Sequence, residues 1–218
     1  MRLMFLQYIL RKVNSLNIEF QSEHFRLHRL HLMVVSEYTN ILGCFVKESV
    51  LQGIKVADID PTNKYYHKTI ENIYLGGSAM AQLIHHPLPS NTLKRFKQDC
   101  LKFLVELCVQ IRKKFPLNED SVISKLNVLD PNIASNVSLS PPSLTHLSSI
   151  FPNLVPPTQV EQLDDQWRSF RLTAKDLHIS SVDHLPVISN PKFALLSDFM
   201  TNLAYHIRQL VWNVYFHK

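Results

Sequence analysis

Apolar side chains recur at Leu3, Leu6, Leu10, Val13 and Leu16, in steps of three and four. This spacing predicts an amphipathic helix over residues 3–19 with these side chains as its apolar side. Nothing before Leu3 resembles an N-cap, so the first residues are expected to fall inside a helix. A second helix is predicted over 22–45, with Leu27, Leu30, Val34, Tyr38, Ile41 and Leu42 on its apolar side. Residues 56–69, VADIDPTNKYYHKT, lose the period at Asp60-Pro61 and Asn63 and read as a loop. A shorter helix is expected over 72–85, closed by Pro87.

The clearest element is 90–116, SNTLKRFKQDCLKFLVELCVQIRKKFP, in which Leu93, Phe96, Cys100, Phe103, Leu104, Leu107 and Ile111 keep the helical period. Ser90 or Asn91 is expected to cap it. Arg112, Lys113 and Lys114 suit the negative end of its dipole, and Pro116 stops it. Beyond Pro116 short helices are predicted at 120–126, 142–151, 158–170 and 193–208, separated by proline and Ser/Asn-rich joints. The chain of 218 residues has 12 prolines and only 4 glycines, which fits helices punctuated by proline better than a sheet with glycine turns. The fold class read from this pattern is mainly α. The break near 116 is either a subdomain boundary or a joint within one core.

Charge sharpens that division. Residues 1–114 hold 16 Lys/Arg against 9 Asp/Glu, whereas residues 115–218 hold 7 against 9. A basic half suits a polyanion, although a modest excess is more often just a solvated surface. Lys94, Arg95, Lys97 and Lys102 carry both readings: the wet side of a helix, or phosphate contacts.

The candidate chemistry is sparse. His24, His28 and His31 fall within about 60° on a helical wheel, which raises the question of zinc. His31 nevertheless lies about 10 Å along the axis from His24, and no Cys pair or carboxylate cluster stands near to complete a tetrahedral site. Imidazoles packed at a core margin are the simpler account. Gly76-Gly77 lacks any phosphate-loop context and suggests close helix packing. Asp164 and Asp165, adjacent on a helix, point about 100° apart and do not converge on one ion. Trp167 reads as a buried anchor, and Cys100 and Cys108 as small buried hydrophobes. Three cysteines without motif spacing indicate a reducing compartment. MRLMFLQYILRKV runs into Arg11 and Lys12 without a cleavage site, so it is not expected to be a signal peptide, and no apolar run approaches the ~20 residues of a membrane span.

Seven blocks, NIEFQSEHFRLHRL (17–30), ILGCFVKESVL (41–51), NIYLGG (72–77), CLKFLVELCVQIRKKFP (100–116), LNVLDP (126–131), FPNLVP (151–156) and LDDQWRSF (163–170), stand in an order that resembles animal proteins derived from hAT-type DNA transposases. The resemblance covers residues 1–203. It implies an RNase H-like superfamily origin, in which a DDE triad of acids binds divalent metal and a helical insertion interrupts the domain. The match begins inside that insertion, after the first two acids. The family continues from a stretch like KFALLSDFMTNL into a segment with the last catalytic glutamate, whereas this chain reads AYHIRQLVWNVYFHK and has no glutamate after Leu203. No catalytic residue carries over, so a truncated, catalytically inactive relative is expected, with no metal, cofactor or small-molecule substrate. Of the three histidines only His28 stands where the family usually has one.

The resemblance also sets the expected organisation. It implies a helical bundle with an insertion-like region at 1–116, short helices and joints flanking the RNase H-like core at 117–203, and a divergent tail at 204–218. One or two residual short strands are expected near 126–129. Implied partners are DNA, met by Lys94, Arg95, Lys97 and Lys102, full-length hAT-like relatives, or a second copy of the chain; no membrane is implied, and the implied location is the nucleus. The alternatives are a helical dimerisation module and a gene fragment with no selected role.

Overall fold

The computed structural model describes residues 1–21, 29–115, 117–118, 121–129, 144–174 and 191–215. These residues are mainly helical and contain no β-strand, only one antiparallel bridge between Val46 and His67. The chain is a mainly α protein. It divides into two compact units: Met1–Ile18 with Leu32–Asn118, and Glu19–His31 with Glu119–Lys218.

In the first unit, helix α1 spans Arg2–Gln21 and buries Phe5, Ile9 and Leu16. This corrects the face expected from the sequence, of which only Leu16 is buried. Leu3 is 81% and Leu10 55% exposed, and Leu6 and Val13 are half-buried. Two apolar stripes run along this helix about 100° apart. The stripe containing Phe5 has aromatic partners: Phe5 meets the edge of Phe103 at 5.8 Å, and Tyr8 beside it meets Tyr74 at 5.6 Å.

Helix α2, Leu30–Leu42, buries Val34, Tyr38, Ile41 and Leu42, the expected side. Its predicted first turns at 22–28 lie outside the described residues. After Cys44, Phe45 and Val46, all buried, the bridge to His67 aligns the backbone so that Lys47 N donates to Tyr66 O and Lys68 N to Phe45 O. A short helix α3, Glu48–Gly53, follows. At six residues it offers too few turns for a period to be read.

The loop at 56–69 is tied down rather than loose, with 3-10 turns at Val56–Asp58 and Lys64–Tyr66. Asp60 Oδ1 accepts from Thr62 N at 2.9 Å and Thr62 Oγ1 at 2.8 Å, and Asn63 Oδ1 accepts from Tyr65 N at 3.0 Å. Helix α4, Gly77–His85, starts later than the period suggested. Before it, Ile73 and Leu75 are buried, and Gly76 turns the chain at φ 92°. A Cβ on Gly76 would lie 2.6 Å from Tyr8 Cγ, so both the backbone angle and the space require glycine.

Helix α5, Ser90–Lys114, buries Phe96, Lys97, Cys100, Leu104 and Cys108. Pro89 occupies its N-cap position and no side chain caps it, so neither Ser90 nor Asn91 has the expected role. Proline has no N–H to lose there and its fixed φ leads the chain into the helix. Arg112 in the last turn donates to Ile59 O at 2.5 Å, anchoring the 56–69 loop.

In the second unit, α6, Val122–Lys125, runs into a 3-10 turn at Leu126–Leu129. The strand expected there is absent. Leu126, Val128 and Leu129 are all buried, and a tight turn brings such a run to one core more readily than a strand, whose neighbouring side chains face opposite ways. Helices α7, Thr145–Ile150, α8, Val160–Ala174, and α9, Ala194–Tyr215, complete the unit. Proline opens the 3-10 turns before α8 and α9, at Pro157–Gln159 and Pro191–Phe193.

Leu163, Trp167 and Phe170 of α8 pack with Phe193 and with Leu196, Phe199 and Leu203 of α9 at the core of this unit. Trp167 stacks on Phe170 at 6.0 Å, and Phe170 meets the edge of Phe193 at 5.8 Å. Two side chains of α8 hold neighbouring backbone amides: Leu144 N donates to Asp164 Oδ1 at 3.1 Å and Leu196 N to Gln166 Oε1 at 2.9 Å. Helix α9 continues without a break through residues 203 and 204, the limit expected for the family-like region. Among the described residues no helix is long and apolar enough to cross a membrane.

Candidate functional site

The four basic residues singled out on α5 do not share one face. Lys94, Arg95 and Lys102 are exposed. Lys97 is buried, and its ammonium donates to the carbonyl of Glu71 at 2.5 Å, pinning the 3-10 turn Ile70–Asn72 onto the helix. Arg95 and Lys102, seven residues apart, differ by about 20° on the wheel, whereas Lys97 lies about 140° from Lys102. Lys97 is therefore removed from the set of phosphate contacts. The acids near this outer face are engaged elsewhere: Asp99 pairs with Arg2 at 3.5 Å, and Glu106 accepts from Gln110 at 2.7 Å. The first unit carries 14 Lys/Arg against 7 Asp/Glu, so the basic excess of the chain resides there.

Of the three histidines, His24 and His28 lie outside the described residues, and His31 is buried. Among the described residues no group of three or more His, Cys, Asp or Glu is placed to hold a metal ion. Asp164 is spent on the Leu144 amide and Asp165 is exposed, so the pair does not converge. Trp167 is 1% exposed, an anchor as read from the sequence.

The thiols are built for packing rather than reaction. Burial pushes the Cys100 thiol up to about 11 and raises Cys108 and Cys44 as well. Tyr8 approaches Cys44 Sγ at 3.8 Å, and burial raises its phenol too. Thiolate, the nucleophilic form, is disfavoured at all three cysteines.

The remaining surface feature is the outer stripe of α1. Leu3, Leu6, Leu10, Val13 and Asn17 follow one another at steps of three, four, three and four, and line a shallow trough together with Gln7, Arg11 and Asn14. Sequence reading found the spacing but assigned it to the core. The missed signal was Phe5 and Ile9, which with Leu16 form a second stripe that competes for the same role.

The fold and these surfaces define a mainly α protein with an exposed basic face and an exposed apolar seam. Comparison with family models, with curated proteins and with solved structures gives no match.

Proposed function

We propose that this chain is a non-catalytic, hAT transposase-like helical module that works by pairing with protein through the outer stripe of α1. The observation that carries the reading is the exposure of Leu3 and Leu10 on a helix already fixed by Phe5, Ile9 and Leu16. Leaving leucine side chains in water forgoes about 1.5–3 kcal/mol each of the stabilisation that burial supplies. A continuous row of them, unlike a scattered one, is the mark of an interaction surface. The partner that fits is a helix with its own apolar residues at alternating steps of three and four. The non-catalytic part and a nuclear location rest on the resemblance alone.

A fluorescent apolar dye tests the seam. At about 1 µM protein, where micromolar pairing is weak, dye binding is expected and should fall in a Leu3→Gln/Leu10→Gln variant with unchanged helicity. No binding, or binding indifferent to both substitutions, contradicts the reading.

DNA contact is the second reading, favoured by the exposure of Lys94, Arg95 and Lys102. Three phosphate contacts give a log–log salt slope of about −2.7 for duplex DNA. A flat salt response removes this reading.

A further inference from the structure

The segment KYYHK, 64–68, sets two tyrosines and a histidine between two lysines. Its backbone is held: Tyr65 N donates to Asn63 Oδ1 at 3.0 Å, Tyr65 O accepts from Lys47 Nζ at 2.7 Å, and Tyr66 O accepts from Lys47 N at 2.8 Å. On this fixed backbone the Tyr65 side chain is 86% exposed, so packing within the unit does not account for its ring. Lys47 also lines an open hollow of about 460 Å³, with Glu48, Lys68, Thr69 and Asn72. Lys68 Nζ donates to Gly43 O at 2.6 Å. Both lining ammonium groups are thus positioned by a carbonyl that takes one of their three N–H donors. Asn72 belongs to the turn that Lys97 pins to α5, which fixes that wall as well.

We infer that this surface binds a single nucleic-acid strand, with a base stacked on the Tyr65 ring and phosphates against Lys47, Lys64 and Lys68. Lysine is depleted in protein–protein interfaces, so a ring set among lysines suits a polyanion better than a protein. Glu48, the acid of the lining, accepts from Gln52 at 3.1 Å and is outnumbered by the three lysines. In a duplex the bases cover one another's faces, whereas a single strand offers them to an exposed ring, and every base has such a face. Because residues 63–66 are already held, stacking on Tyr65 orders little further chain. The surface is separate from the α1 stripe, and its contact to bases goes beyond the phosphate contacts of α5.

Fluorescence anisotropy with labelled oligothymidylate or oligouridylate at low salt is expected to give a Kd of about 1–100 µM and a log–log salt slope of about −2.1 for three phosphates. Tyr65→Ala should weaken binding about 5- to 150-fold with unchanged circular dichroism, and Tyr65→Phe, which keeps the ring, should bind like the wild type. Lys64→Gln, at an exposed site, should reduce the salt slope by about 0.7. Tyr65-dependent binding of either strand upholds the inference, and the tighter of the two identifies DNA or RNA as its source. No binding of either strand, or binding indifferent to Tyr65→Ala, overturns it. Duplex binding that responds to Lys102→Gln but not to Tyr65→Ala also overturns it, while leaving the α5 reading standing.

Discussion

The two units solve the same packing problem with opposite results at their surfaces. In the second unit the large aromatic side chains meet one another: Trp167 stacks on Phe170, which abuts Phe193, and α8 lends Asp164 and Gln166 to neighbouring backbone amides. In the first unit α1 is apolar on two stripes and spends only one of them on its own core. That unit also holds 14 Lys/Arg against 7 Asp/Glu, while the second holds 9 against 11. Among the described residues, surface left over after folding, both apolar and basic, is concentrated in the first unit. Binding is expected there, whereas the second unit is expected to answer chiefly to changes in its core.

The largest expected effect breaks the aromatic core. Trp167→Ala should destabilise the protein by about 3–5 kcal/mol, read by chemical denaturation, because it opens a cavity among side chains with no exposed alternative. In the first unit, Gly76→Ala should cost about 2–4 kcal/mol, combining a left-handed backbone angle with a Cβ forced into the Tyr8 ring. Both are core effects, and neither distinguishes the units.

Two lysines sharpen the comparison. Lys97→Met should lower stability by about 1 kcal/mol by removing the bond to Glu71 O. Lys102→Met, at an exposed site, should stay within ~0.5 kcal/mol. DNA affinity, where measurable, should respond in the reverse order: Lys102→Gln should reduce the salt slope by about 0.9 and Lys97→Gln should leave it unchanged.

The smallest effect is acid sensitivity of the 56–69 loop. The Thr62 amide and hydroxyl hold the Asp60 carboxyl below its ordinary range. Its folded pKa is thus the depressed one, so its stabilisation is complete above the ordinary value of 3.8 and is lost as pH falls through the lower, folded value. Protection of the Thr62 amide, exchange measured against its intrinsic rate at each pH, should fall in acid, and Asp60→Asn should flatten that response.

Much of this was legible in the residues. The spacing of Phe96, Cys100 and Leu104 located α5 to within a turn, and Val34, Tyr38, Ile41 and Leu42 gave the inner side of α2. The class, mainly α, followed from proline and glycine usage. What was misread turns on competition between equally periodic choices. Leu3, Leu6, Leu10 and Val13 satisfy the helical period as well as Phe5, Ile9 and Leu16, and only the ring partner Phe103 decides between them. Lys97 was read as wet because lysine usually is, yet the Glu71 carbonyl, 26 positions earlier, lies within its reach only once the chain has folded back. The 126–129 segment carries apolar residues suited to strand or turn, and burial on several sides chose the turn.

The account depends most on the outward face of α1, and labelling of a Leu10→Cys variant tests it directly. The three native thiols are buried, so the introduced one reports alone. At about 1 µM the variant should react readily with a thiol reagent, because residue 10 stands exposed on the outer stripe of α1. A thiol protected from the reagent in the folded chain contradicts the claim that this face is open.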